Sequence, residues 1–135
     1  MKVCFKNFNK TLSPEQIKVV KKFVKFIQNE LPLKKDINIA FTKHKDVPMT
    51  TGVRFPNSEI FVLSGGRLLI DILRTLGHEW VHEFQHQKMG LKDTDKIQDI
   101  GGPEENMANV LAGIFTKKFE KQFSNDSKLL YGEGN

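Results

Sequence analysis

The sequence predicts an α+β domain in which a small, mostly antiparallel sheet packs on two long helices, with a further helix near the N-terminus. Three observations support this fold class: apolar residues recur at helical spacing in three segments, alternate with polar residues in a fourth, and form two β-prone runs around a turn. The chain has 135 residues, and 39% of them are hydrophobic. This is enough apolar material for one ordinary core, so a single domain over residues 1–135 is expected, without a second one.

Residues 1–33 are predicted to form an N-terminal helical region. Ser13 suits an N-cap, Pro14 suits the first helical position, and Gln16 completes a capping box. The apolar positions that follow recur at helical spacing and are Ile17, Val20, Phe23, Val24 and Ile27. Pro32 should end this helix, because proline disfavours helical geometry in the residue before it.

The sheet is predicted within residues 36–64. From residue 36 to residue 43, apolar and polar side chains alternate, which is typical of a half-buried strand. Residues 50–55 and 59–63 are short β-prone runs, and Pro56-Asn57-Ser58 between them predicts a hairpin turn. The hairpin makes a mostly antiparallel sheet the expectation.

Two long helices are predicted after the sheet. Ser64-Gly65-Gly66 should end the sheet, and the first long helix should run over residues 67–89 and end at Gly90. After a polar connection, two glycines and a proline open the second long helix, over residues 103–123. The tail, residues 124–135, is expected to be loose.

The composition restricts the class of protein. Cys4 is the only cysteine, so neither an intramolecular disulfide nor a thiolate zinc site can form. The net charge of +5 comes from lysines spread along the chain, which permits nucleic acid as a partner, but no aromatic and basic patch supports it. No apolar run suits a signal peptide or a membrane span. A soluble, cytoplasmic protein without a membrane partner is therefore expected, and no particular oligomeric state is indicated.

The residues that carry chemistry lie on the helix predicted over residues 67–89. His78 and His82 are four residues apart, so their imidazoles should lie side by side, one turn apart. Two nitrogen ligands at that spacing suit tetrahedral Zn²⁺. The apolar side chains project the other way, so the histidines should face a surface separate from the core, and Glu79 should project between the two sides. The alternative is an amphipathic helix whose polar side simply contains histidines.

A catalytic zinc site needs a third protein ligand and an open fourth position. Glu104 and Glu105 are the candidates, and Glu105 is preferred because it shares a helical face with small residues, so this helix can approach the histidine helix closely there. Glu104 points about 100° away, and its place in the first helical turn is explained by the helix dipole. Asn109, one turn after Glu105, is positioned to hold a ligand histidine through its outer ring nitrogen, unless it is an ordinary surface residue.

These two segments resemble a known group of enzymes. His78-Glu79-Trp80-Val81-His82, followed by Glu105-Asn106-Met107-Ala108-Asn109, resembles the H-E-x-x-H and E-x-x-x-[DN] motifs of the gluzincin clan of thermolysin-like zinc metallopeptidases. With their flanking residues, the same segments resemble small zincin-like proteins of tailed phages. The E-x-x-A-N pattern is also similar to that of the repressor-cleaving and radiation-response regulator metallopeptidases. The resemblance covers roughly residues 50–119.

The resemblance implies zinc-dependent hydrolysis of peptide bonds. His78, His82 and Glu105 would bind Zn²⁺, and Glu79 would act as the general base that takes a proton from the attacking water and passes it to the leaving amine. The expected substrate is a specific protein, such as a phage or host factor.

The clan also implies a substrate cleft beside the sheet. Thr51, Gly52, Val53 and Arg54 would form its rim and pair with an extended substrate, unless they form an edge strand that binds nothing. His86 would line the cleft or lie on the surface. Three residues are candidates for the side chain that polarises the substrate carbonyl: His44, Arg54 and Tyr131.

Two other function classes stay open. One is a catalytically silent structural or interaction protein that keeps a zincin fold, for example a virion or assembly component. The other is a protease that works beside nucleic acid, which the basic charge permits.

Overall fold

The protein folds into a mixed four-stranded sheet and four α-helices within residues 1–43, 51–88 and 102–132, which the computed structural model describes. The strands are β1 (Val3–Asn7), β2 (Ile37–Thr42), β3 (Gly52–Phe55) and β4 (Glu59–Leu63). The α-helices are α1 (Pro14–Glu30), α2 (Leu69–Lys88), α3 (Pro103–Gln122) and α4 (Ser127–Leu130). The predicted α+β class is confirmed.

The strand order in the sheet is β1-β2-β4-β3. β1 pairs with β2 and β2 pairs with β4 in parallel, whereas β3 and β4 form an antiparallel hairpin. The prediction of a mostly antiparallel sheet is therefore wrong. There are two reasons. β1 lies in the region predicted to be only helical, and its Val3 and Phe5 align in parallel with Ile37 and Ile39 of β2. β2 in turn pairs in parallel with β4, the second strand of the hairpin.

β2 lies in the middle of the sheet and is more buried than the predicted half-buried strand. Its apolar residues Ile37, Ile39 and Phe41 are buried, as expected. Ala40 and Thr42, on the opposite face, are also buried. A central strand can be covered on both faces. Alternation of apolar and polar residues in β2 therefore does not make one face of the strand exposed along its whole length.

α1 begins and ends where the sequence predicts. The Ser13 hydroxyl accepts a hydrogen bond from the backbone N–H of Gln16 at 3.1 Å, and the Gln16 side chain accepts one from the backbone N–H of Ser13 at 2.8 Å. This is a capping box, which satisfies N–H groups that have no partner within the helix. The helix ends at Glu30, with Leu31 as the C-cap. Its buried face packs on α3, where the rings of Phe23 and Phe119 are 5.3 Å apart.

α2 runs through the centre of the molecule. It begins at Leu69, two residues later than predicted, and its predicted last residue, Met89, lies outside the described residues. Gly77 of α2 faces α3: a Cβ built on it would be 3.6 Å from the Cα and Cβ of Ala112. The two helices therefore approach closely through small residues, as the sequence predicts. The histidine side of α2 is not a separate surface, however, because α3 covers it and His82 is only 2% exposed.

Residues 124–132 are folded, in contrast to the loose tail that the sequence predicts, and residues 133–135 of that tail lie outside the described residues. A 3₁₀ turn, Ser124–Asp126, leads into α4. Leu130 is fully buried in the core, and Asp126 forms an ion pair with Lys22 of α1 at 3.1 Å. This segment is held by one buried leucine and one ion pair, and neither contact produces a pattern that can be recognised in the sequence. In the described segments, no helix has both the length and the apolar character needed to cross a bilayer.

Candidate metal centre

Two residues of α2 and one of α3 form a cluster that can hold a metal ion. His78, His82 and Glu105 each offer one ligand atom, and these atoms all lie within 4.8 Å of one another. The Glu105 carboxylate bridges the two rings, with Oε1 2.6 Å from His78 Nε2 and Oε2 3.1 Å from His82 Nε2. The structure thus brings together the three residues that the sequence predicts. Among the described residues, Glu104 belongs to no such cluster.

The cluster is buried on one side and open on the other. The His82 side chain is 2% exposed, whereas those of His78 and Glu105 are 20% and 18% exposed. Solvent or a ligand can therefore approach past His78 and Glu105, while His82 anchors the cluster in the interior. A site of this shape can supply three ligands and keep a further position open.

The outer nitrogen of each imidazole has a partner. His82 Nδ1 lies 2.9 Å from Gln85 Oε1, and the Gln85 amide donates to the backbone carbonyl of Glu104 at 2.9 Å. Because that carbonyl can only accept, the Gln85 amide nitrogen must face it, and the Gln85 oxygen must face His82. His82 therefore carries its proton on Nδ1. His78 Nδ1 lies 3.0 Å from Glu79 Oε2, a pure acceptor when ionised, so it also carries a proton.

Asn109 does not have the role that the sequence predicts for it. The outer ring nitrogens are held by Gln85 and Glu79, and Asn109 is exposed, outside the buried contact between α2 and α3. Sequence reasoning missed Gln85. A signal was present, because Gln85 follows His82 by three residues on one helix, a spacing at which side chains are neighbours.

The cluster requires a positive charge at its centre. A neutral imidazole with its proton on Nδ1 presents a lone pair at Nε2, and both Nε2 atoms face the oxygens of Glu105. Acceptors at such distances repel each other unless a proton or a cation lies between them. Burial alone would lower the pKa of the His78 imidazole, but hydrogen bonds and negative charges of Glu79 and Glu105 outweigh it and raise that pKa above its ordinary value. The donor set of two nitrogens and a carboxylate fits a divalent metal ion.

Glu79 has one carboxylate oxygen without a partner. The residue is 3% exposed, and Oε2 contacts His78, whereas Oε1 is buried and forms no hydrogen bond with any described residue. Burying an unsatisfied carboxylate oxygen is unfavourable, and such a group in a folded protein needs an explanation. A water molecule held at the adjacent cluster would supply the missing donor.

Gly52 allows β3 to pack directly on Glu79. A Cβ on this residue would lie 2.6 Å from Thr75 Cγ2 and 3.3 Å from Glu79 Cγ. Contacts that short force neighbouring atoms to move, so the glycine is required by close packing.

We expect Gly52→Ala to lower the free energy of unfolding by about 1–3 kcal/mol, the usual cost of overpacking. Chemical denaturation followed by circular dichroism measures the change. Thr75→Ser removes the methyl group that clashes but keeps the hydroxyl that accepts from Arg67 at 2.9 Å, so it should restore most of the lost stability in the double variant. A loss of the same size with and without Thr75→Ser would show that this contact is not the cause.

Arg54 is held by a buried carboxylate next to the histidine motif. Its Nε donates to Glu83 Oε1 at 2.6 Å, and the two side chains are 8% and 1% exposed. Ser58 donates to the other oxygen of Glu83 at 2.9 Å. This network fastens the β3–β4 hairpin to α2. As a candidate for polarising the substrate carbonyl, Arg54 is therefore already engaged elsewhere.

The other predicted cleft residues have the following positions. β3 lies at the edge of the sheet; Val53 is buried, and pairing of this edge with a substrate stays a prediction. His86 is half-buried, one turn after His82, and outside the three-residue cluster. Tyr131 donates a hydrogen bond to Glu120, which lies about 22 Å along α3 from Glu105 at the usual helical rise. His44 lies outside the described residues.

No protein-family model, no curated protein and no solved structure matches this chain. The resemblance to gluzincins therefore stays a prediction that rests on two short motifs. The α+β fold and the cluster of His78, His82 and Glu105 are what the structure adds to those motifs.

Proposed function

We propose that this protein is a zinc-dependent peptidase, with His78, His82 and Glu105 as metal ligands and Glu79 as general base. The observation that carries the proposal is the bridging position of the Glu105 carboxylate between two Nε2 atoms whose imidazoles have a hydrogen-bond partner at each outer nitrogen. The unpartnered Glu79 oxygen beside this cluster supports it. The fold class is compatible with a small zincin-like domain.

The ligand atoms favour zinc over other common ions. Calcium and magnesium prefer sites built from oxygen ligands, whereas the cluster offers two imidazole nitrogens and one carboxylate. Catalytic zinc sites commonly combine three protein ligands with one open position. The partial exposure of His78 and Glu105 provides that opening.

The chain's own residues divide the remaining work. A zinc ion bound here would supply a Lewis acid that makes water a nucleophile at neutral pH. His78 fixes one oxygen of Glu79 through its Nδ1 proton at 3.0 Å. This leaves the second oxygen of Glu79 to accept a proton from the attacking water and to transfer it to the leaving amine. Gln85 holds His82 in the tautomer whose Nε2 lone pair faces the cluster.

A second candidate function is a metal-containing interaction protein without catalytic turnover, such as an assembly component. One observation favours it. Arg54 and Tyr131, two candidates for polarising a substrate carbonyl, are engaged by Glu83 and Glu120. In this alternative the protein binds zinc and a partner, but no peptide is cleaved.

Metal removal tests the proposed function. We expect protein purified without added zinc to contain stoichiometric zinc and to cleave peptides in a diverse pool of unstructured sequences. Dialysis against a chelator should abolish both properties, because the activated water requires the ion, and zinc should restore both. Metal content is measured by mass spectrometry of the elements and cleavage by mass spectrometry of the peptides. Zinc without any cleaved peptide would favour the second candidate; no bound metal would exclude both.

A further inference from the structure

A groove lies along the contact between α2 and α3, next to the metal cluster. It has a volume of about 500 Å³, and its lining residues are Arg74, Asn109, Val110, Gly113, Ile114 and Lys117. Val110 and Ile114 are 59% and 42% exposed, which is high for aliphatic side chains. Apart from its chain neighbours and the backbone of its own helix, no atom lies within 4 Å of the position that a Cβ of Gly113 would occupy. The groove is thus open at Gly113, and the side chains beside this glycine are aliphatic.

The metal ligands and the groove belong to the same two helical ridges. Residues four apart form such a ridge on a helix. On α2 the ridge consists of Arg74, His78 and His82; on α3 it consists of Glu105, Asn109, Gly113 and Lys117. The groove therefore begins about one helical turn, roughly 6 Å, from the metal ligands. His78 and Glu105, the ligands nearest to the groove along these ridges, are 20% and 18% exposed.

The groove lining carries two positive charges and no negative one. Arg74 and Lys117 are both exposed, and neither forms an ion pair with a described residue. No carboxylate is among the lining side chains. Charge complementarity therefore favours an anionic group, and the aliphatic surface of Val110 and Ile114 favours an apolar one next to it.

We propose that this groove binds the substrate polypeptide and selects an acidic side chain next to an aliphatic one. The inference rests on the proposed peptidase function. An extended peptide advances about 3.3 Å per residue. Arg74 lies about 6 Å along α2 from His78, and Lys117 lies about 18 Å along α3 from Glu105. The selected side chains are thus about two to five residues from the cleaved bond.

A polypeptide fits this groove better than a nucleic acid does. Proteins that bind single-stranded nucleic acid combine positive charge with aromatic side chains on which bases stack. The groove has the charge, but none of its lining residues is aromatic. Its aliphatic residues match leucine or valine side chains of a peptide.

Binding of two matched peptide pools tests the proposal. The first pool contains fluorescein-labelled twelve-residue peptides with randomly placed Asp, Glu, Leu and Val; the second replaces Asp and Glu by Asn and Gln. Fluorescence anisotropy is measured with the full zinc-loaded chain carrying Glu79→Gln, so that bound peptide stays intact. We expect the acidic pool to bind about fivefold more tightly, which is the upper end of the range for one exposed ion pair.

Two variants of the groove and one control locate the binding. Lys117→Glu reverses a charge in the groove, and Gly113→Leu fills the groove while replacing glycine by a better helix former. Each should weaken binding of the acidic pool about fivefold or more. Lys121→Glu makes the same charge change one turn further along α3, outside the groove, and should leave the affinity unchanged. If Gly113→Leu failed to fold, the affinity of Lys117→Glu for the acidic pool would still test the proposal.

Three results would overturn the proposal: equal or undetectable binding of the two pools, weakening by Lys121→Glu equal to that by Lys117→Glu, or binding of a twelve-residue oligothymidine more tightly than the acidic pool.

Failure of the proposed peptidase function gives a different set of results. If the parent chain cleaves no peptide but the groove variants weaken acidic binding, the groove assignment stands and the peptidase assignment falls. If the parent chain cleaves peptides without preference for the acidic pool, the peptidase assignment stands and the groove assignment falls.

Discussion

Glu79→Gln is expected to lower the rate of peptide cleavage by about 10²–10⁴, the usual contribution of general acid–base catalysis, while zinc stays bound. The amide oxygen can still accept the Nδ1 proton of His78, so the ligand geometry is kept. The amide nitrogen, in contrast, cannot take a proton from water. Initial cleavage rates and zinc content, measured on the same preparation, separate the two effects.

The control for this variant is Asp71→Asn. It removes one negative charge from the same helix at an exposed position in the first turn, away from the cluster. Cleavage by Asp71→Asn should equal that of the parent chain. If Glu79→Gln cleaves the peptide pool as fast as the parent chain, Glu79 is not the base, whatever the metal content.

Local signals made the starts of α1 and α3 predictable, and α3 carries Glu105. Ser13 with Gln16, and Pro103 after two glycines, specify helix starts through their own backbone and side-chain chemistry, and both helices begin where these residues place them. The spacing of His78 and His82 is fixed by helix geometry alone. Such features require no knowledge of distant contacts, so the sequence is sufficient for them.

β1 shows why the rest of the sheet was not predictable. Its five residues gain their stability by pairing with β2, which is about thirty residues away in the chain. Nothing in Val3 to Asn7 specifies that partner or the parallel direction. Strand preference reflects the surroundings of a strand more than the strand itself, so a short strand between lysines gives almost no local signal.

The partners of the ligand histidines illustrate a different kind of error. Asn109 is the candidate because it follows Glu105 by one turn. In the structure, however, Ala108 and Ala112 are buried, Ala112 packs on Gly77 of α2, and Asn109 is exposed. The closest amide is instead Gln85, on the histidine helix itself. The pairing of Arg54 with Glu83 depends on contact between a hairpin and a helix, which the sequence does not specify.

Glu105→Ala is expected to lower the zinc affinity by at least about a hundredfold. Even substitutions of residues that only support a metal ligand cost about 10–100-fold in affinity, and loss of a ligand should exceed that. The Glu105 carboxylate contacts both histidines, so its removal leaves two imidazoles and no negative charge to balance the cation. Competition with a chromogenic chelator measures the affinity of the parent chain and the variant.

Glu104→Ala is the matched control for this prediction. Both residues lie in the first turn of α3 and interact similarly with the helix dipole, so each substitution should have a similar, small effect on the metal-free protein. The backbone carbonyl of Glu104, which accepts from Gln85, is present in the control. Since a ligand that binds only the folded state stabilises it, zinc should raise the melting temperature of the parent chain and of Glu104→Ala, but not of Glu105→Ala. If both variants lost zinc equally, or if neither variant lost it, Glu105 would not be a zinc ligand. The proposed peptidase site would then lack its third ligand.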